Sequence, residues 1–97
     1  MSNLKWLQEW YNQNCDGWWE HLYGVIIETL DNPGWHVKIE LHGTNYVDLQ
    51  SEELKWDKGD DDWLKCSISR GVFDGCGDSM KLEMIIEIFK KWIEECE

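Results

Sequence analysis

The segment DNPGWHVKIEL, residues 31–41, indicates the fold more directly than any other part of the chain. Apolar and polar side chains alternate strictly after the turn, and one face of the predicted strand carries Trp35, Val37, Ile39 and Leu41. Residues 22–30, before the turn, are rich in β-branched and aromatic side chains. The segment therefore predicts a β-hairpin with a type II turn, in which Pro33 is the first central residue and Gly34 takes positive φ.

Further strands are expected downstream of this hairpin. A third is predicted at residues 45–49 and a fourth at residues 63–70, with residues 51–62 as a polar connection between them. Residues 72–73 extend the fourth strand or open another short one. The glycine-rich residues 74–78 are then expected to break the sheet.

Helices are predicted at both ends of the chain. Residues 4–14 have the spacing of a short amphipathic helix, and a longer helix capped by Asp78 or Ser79 follows the strands. The apolar stripe of that last helix comprises Leu82, Ile85, Ile86, Phe89, Trp92 and Ile93. The pattern predicts a single α+β domain over residues 1–97, an antiparallel sheet of about four to five strands with both helices packed on it.

Composition points to a protein partner. The formal net charge of −11 would repel nucleic acid and anionic membranes and favours a basic partner. Eight tryptophans are too many for a 97-residue core to enclose, so some are expected at the surface. Without an apolar run of about 18 residues or an export signal, the chain is expected in the cytoplasm, with its four cysteines as reduced thiols.

Enzyme chemistry finds little support in the residue pattern. Cys66 falls on the inward face of the fourth predicted strand and lacks the helix N-terminus that activates a thiol. Neither cysteine nor histidine spacing matches a metal site, and no phosphate loop or dinucleotide motif occurs, so no cofactor is expected. Glu20 and His21, which the strand pattern would place on opposite faces, are not read as a catalytic pair. Glu20 is instead predicted to hold backbone near the first turn.

Residues 6–35 resemble the immunity protein 53 family of bacterial polymorphic toxin systems. The resemblance is carried by WLQEWY, CDG, WEH, GVII and TLDNPGW, with GCG and the last helix similar as well. It implies a cytoplasmic antitoxin that binds a cognate toxin and has no chemistry of its own. The motif residues, expected to be mainly structural, are Trp19, Glu20, Gly24, Asp31, Asn32, Pro33, Gly34 and Trp35.

The predicted partner-binding residues come from the acidic connection instead. They are Glu52, Glu53, Trp56, Asp57, Asp60, Asp61, Asp62 and Trp63. Carboxylates there would attract a basic toxin, for which a nuclease is suitable, and tryptophan would anchor it. Two alternatives stay open: an aromatic-lined module for a metabolite, and a thiol-dependent enzyme centred on Cys66 or Cys76. Oligomeric state is left undetermined.

Overall fold

Residues 2–96, which the computed structural model describes, form three helices and five strands in the predicted α+β arrangement. In chain order these are α1 (Asn3–Asn14), α2 (Trp19–Leu22), β1 (Val25–Leu30), β2 (Gly34–Glu40), β3 (Ser51–Asp57), β4 (Trp63–Ser69), β5 (Val72–Gly77) and α3 (Leu82–Glu95). The strands make one antiparallel sheet in the order β1-β2-β5-β4-β3.

The predicted hairpin is confirmed as β1 and β2. Val25 lies opposite Ile39 and Leu30 lies opposite Gly34. The first strand begins at Val25 rather than at residue 22, because Trp19–Leu22 forms α2. Alternation along β2 is as expected, with Val37 and Ile39 fully buried.

The third strand predicted at residues 45–49 is wrong. Those residues belong to a series of turns in which the Thr44 hydroxyl donates to Leu41 O and accepts from the amide of Tyr46. Because β5 and β4 lie between β2 and β3, the connection must cross the end of the sheet before the next strand can pair. Leu49 still packs against the core, but from this connection. The third strand is Ser51–Asp57, which the sequence had suggested was part of a polar loop.

The glycine-rich segment does not break the sheet. Residues 74–77 continue β5, which pairs with both β2 and β4 near the middle of the sheet. A Cβ added at Gly75 would lie 2.6 Å from the Ile85 side chain and 3.1 Å from the Phe73 ring. Glycine is therefore present in β5 because α3 packs closely upon it.

Both long helices are confirmed: α3 packs on one face of the sheet, and α1 packs against α3. Phe89 of α3 lies at the centre of the core, with ring centroids 5.1 Å from Trp10 and 4.9 Å from Phe73. Lys81, not Asp78 or Ser79, occupies the N-cap position of α3 and makes no side-chain cap bond. Within residues 2–96 the opposite face of the sheet carries no helix, and we call it the open face.

Candidate partner-binding site at one end of the sheet

The strand order brings three connections to the same end of the sheet. They are the β1–β2 turn at residues 31–33, the β3–β4 turn at residues 58–62, and the β5–α3 connection at residues 78–81. We call this region the tip end. A cleft of about 420 Å³ there is lined by Asn32, Pro33, Asp60, Asp61 and Trp63. Part of the family-type motif thus lies beside part of the predicted acidic site.

In the β1–β2 turn, Gly34 does not have the conformation that the sequence predicted. Gly34 is buried and is not among the residues with positive φ, so the predicted second central position of a type II turn is wrong. A Cβ at Gly34 would instead collide with the carbonyl oxygen of Gly77 on β5. The next residue, Trp35, is half-buried, and its indole Nε1 donates to Ser79 O at 3.0 Å. Close contact with the β5–α3 connection therefore fixes this turn.

The β3–β4 turn contains both engaged and free acidic side chains. Asp62 accepts a hydrogen bond from Trp56 Nε1 at 3.2 Å and forms an ion pair with Lys81 Nζ at 2.9 Å. The Lys81 contact lowers the pKa of Asp62. Asp60 and Asp61 are exposed, and within residues 2–96 neither forms an ion pair. Only these two of the three consecutive aspartates are available to a partner in the way the sequence suggested.

Asp78 and Lys81 join the three connections. The buried Asp78 carboxylate accepts from the amides of Trp63 and Met80, both at 2.9 Å, and from Lys81 Nζ at 2.7 Å. The Lys81 hydrogen bond, with the two backbone donors, lowers the pKa of Asp78 to about 2. Sequence reasoning had considered Asp78 only as a helix cap. The position of Asp78 between a cation and two amides depends on the pairing of β4 with β5, which the sequence did not predict.

The remaining predicted binding residues do not line the cleft. Glu52 and Glu53 lie at the other end of β3, beside a register shift between Ser51 and Leu54. Glu53 approaches Lys65 at 3.5 Å on the open face. Asp57 ends β3 and accepts from the amide of Gly59 at 3.1 Å. Trp56 packs against the core, so it is not the free apolar anchor that its sequence position suggested.

The first part of the family-type motif lies at the α1–α2 connection. Trp19 is completely buried, with its ring centroid 5.9 Å from that of Trp10. The Glu20 carboxylate accepts from the amides of Asp16 at 2.9 Å and Gly17 at 2.8 Å, so the predicted backbone tether is present. Glu20 and His21 lie on a short helix and not on a strand, which corrects the geometry assumed for them. Gly24, at φ 147°, leads from α2 into β1.

Comparison with known proteins places these motifs in one family. The family model described as Immunity protein 53 matches residues 4–94. The chain belongs to the immunity protein 53 family. No curated protein and no solved structure matched it significantly.

Membership in the immunity protein 53 family supports an immunity role and implies a toxin as partner. The family suggests an inhibitor role without catalysis. The two thiols considered for an enzyme are consistent with that role, because burial raises the pKa of Cys66 to about 12 and also raises the pKa of Cys76. Among residues 2–96 there is no group of three or more His, Cys, Asp or Glu side chains placed to hold a metal ion, and no helix with the length and apolar character to cross a membrane.

Several charged side chains on the open face of this immunity protein 53 family member lie in pairs. On β2, His36 Nδ1 lies 2.8 Å from Glu28 Oε2 of β1, and His36 Nε2 lies 3.0 Å from Asp74 Oδ1 of β5. Hydrogen bonding to Glu28, with Asp74 nearby, raises the pKa of His36. Glu40 contacts Lys38 at 3.6 Å and His42 at 3.0 Å. The carboxylates of Glu28, Asp74 and Glu40 on this face therefore each contact a basic side chain, whereas Asp60 and Asp61 at the tip end form no ion pair within residues 2–96.

Proposed function

We propose that this chain is a cytoplasmic immunity protein of a polymorphic toxin system, which neutralises a cognate basic toxin by binding it at the tip end. Family membership supports the immunity role. The observation that carries the choice of surface is the cleft in which the unpaired carboxylates of Asp60 and Asp61 lie beside Trp63 and Pro33. Carboxylates of this kind attract a cationic surface, and a partly exposed indole supplies apolar contact area for it.

The structure of the cleft suits recognition of lysine or arginine side chains on the toxin. An indole face attracts a nearby cation, and unpaired carboxylates accept hydrogen bonds from ammonium or guanidinium groups. Because Asp78 and Lys81 hold Trp63 and Asp62 in place, the free carboxylates project from a fixed base. A nuclease toxin fits this proposal, since a nuclease needs a basic surface to bind phosphate. Blocking that surface would inhibit the toxin without any chemistry by this chain.

The test is the association rate of the cognate toxin with an Asp60→Asn/Asp61→Asn variant, measured by stopped flow at low and high salt. We expect association at low salt to slow by roughly 3- to 10-fold and its salt dependence to decrease. The matched control is Glu94→Gln/Glu95→Gln. It removes the same two charges from exposed positions near the C-terminal end of α3, whereas the tip end adjoins the start of that helix.

The comparison of the two variants separates a local site from an effect of net charge. A larger rate change for the tip variant than for the helix variant supports binding at the tip end. Equal changes, or no change in either, would place the interface elsewhere. Failure of the wild-type chain to bind or inhibit its toxin would contradict the immunity function itself.

A further inference from the structure

The two edge strands of the sheet, β1 and β3, differ in how well they are protected from pairing with another chain. On β3, charged side chains point outward at Glu53, Lys55 and Asp57, and its register shifts near Ser51. Charges and bulges of this kind normally protect a sheet edge from pairing with another chain. In contrast, β1 has the sequence VIIETL with one charged residue, and it pairs with β2 in an uninterrupted register.

The β1 edge also presents backbone groups that a sixth strand could use. The amide of Glu40 donates to Gly24 O at 3.1 Å, which fixes the phase of the ladder between β2 and the start of β1. Since hydrogen-bonded pairs alternate in an antiparallel ladder, Ile26 and Glu28 bond to β2. The N–H and C=O groups of the intervening residues point away from the sheet. These are Val25, Ile27 and Thr29.

Exposed apolar side chains concentrate beside this edge. The exposed fractions are 54% for Trp18, 58% for Leu22, 50% for Ile26 and 38% for Ile27. All four residues lie within a stretch of ten positions. Trp18 contacts Tyr23 edge to face. A cleft of about 220 Å³ beside them is lined by Leu22, Tyr23, Gly24, Val25 and Ile26, together with Lys38 and Glu40 of β2. Concentrated apolar exposure next to an unprotected edge is typical of an interaction surface.

We propose that an extended segment of the toxin adds to β1 as a sixth strand, a contact that rests on the proposed immunity function. The segment would be about six residues long to match β1, apolar where it meets Ile26 and Ile27, and basic where it reaches Asp31. β1 ends at Leu30, directly before the β1–β2 turn, so the added strand is continuous with the acidic cleft.

Charge favours the toxin over a second copy of this chain as the occupant. Two copies, each with a formal net charge of −11, repel one another as they approach, whereas a basic toxin is attracted. The apolar side chains then contribute contact area, and the backbone hydrogen bonds set the register.

Amide hydrogen exchange, followed by NMR with and without a catalytically inactive form of the toxin domain encoded beside this chain, tests the added strand. In the free chain, we expect rapid exchange at the outward amides of Val25, Ile27 and Thr29. In the complex, exchange there should slow by roughly 100-fold or more. The outward amide of Lys55 on β3 is the internal control and should be unaffected.

Each alternative result has a distinct meaning. A complex that forms without protecting the three β1 amides overturns the added strand and leaves the immunity proposal intact. Protection that appears without toxin and grows with protein concentration identifies a second copy as the occupant and also overturns it. If no complex forms, the immunity proposal fails, and the added strand fails with it.

A pair of proline variants gives an independent measurement of toxin affinity. Ile27→Pro removes an N–H that points away from β2, so we expect the fold to persist and toxin binding to weaken by roughly 10-fold or more. Lys55→Pro makes the equivalent change on the β3 edge and should bind like wild type. If circular dichroism shows that Ile27→Pro is unfolded, Ile27→Lys replaces it, because a charge on the edge also opposes strand pairing. Wild-type affinity in the folded β1 variant would refute the proposal.

Discussion

The tip end and the open face of the sheet are both rich in charge, but they arrange it differently. On the open face, His36 and Lys65 lie beside carboxylates at the surface. At the tip end, the cation Lys81 is mostly buried between Asp62 and Asp78, while Asp60 and Asp61 project without forming an ion pair within residues 2–96. The comparison shows that a buried charge network can stabilise a connection while leaving adjacent charges free to act on a partner.

Removing one lysine from each region should give the largest contrast in stability. Lys81→Met leaves the buried Asp78 carboxylate without its cation, which is strongly destabilising, and we expect Tm to fall by roughly 10 °C or more. Lys65→Met removes a partner from a half-exposed contact of 3.5 Å with Glu53 and should shift Tm by about 2 °C or less. Thermal unfolding of both variants at neutral pH and one salt concentration makes the measurement. Similar decreases in Tm for the two variants would refute the proposed difference in charge stabilisation between the tip end and the open face.

Local patterns predicted much of the fold. Alternation in residues 35–41 identified β2, and helical spacing identified α1 and α3. Two of the errors in the sheet, those at β3 and β5, share a cause, which is that strand position in a sheet is not a local property. β3 is an edge strand with mostly exposed side chains, so it reads as a loop, and β5 contains glycines because a helix packs on it. Neither pairing is visible in the sequence around the strand.

The candidate site was predicted only in part for the same reason. Composition identified the acidic turn, and the motif identified residues 31–35, but their proximity depends on the order β1-β2-β5-β4-β3. The sequence could not distinguish Asp62, which contacts Lys81 and Trp56, from the adjacent Asp60 and Asp61. That distinction arises from a lysine 19 positions later in the chain, which the fold brings back to the turn.

Acid should reduce the stabilisation that Asp78 gives to the tip end. The pKa of Asp78 is about 2 in the folded chain, below its usual value, so its charge contributes stability that is fully present above about pH 4. That contribution is lost as the pH falls toward 2. We therefore expect the stability difference between wild type and Asp78→Asn, measured by urea unfolding, to be large at pH 5 and to narrow markedly by pH 2 to 2.5. A difference that stays constant over this range would show that Asp78 does not titrate as described.

Rising pH should reduce the stability that His36 contributes on the open face. Of the predicted changes in stability, this should be the smallest. Glu28 and Asp74 raise the pKa of His36, so its protonated form contributes stability below about pH 6.5 that is lost as the pH rises through the folded-state pKa. Because both carboxylates are more than half exposed, the contribution should not exceed about 1 kcal/mol. Urea unfolding of wild type and His36→Gln should differ most near pH 5.5 and converge by pH 9. Lys65→Met serves as the control from the same face, since its difference from wild type should be unchanged between these pH values. A His36→Gln difference that grows with pH would mean that His36 is held neutral, and the open face would then lack the charge pairing that distinguishes it from the tip end.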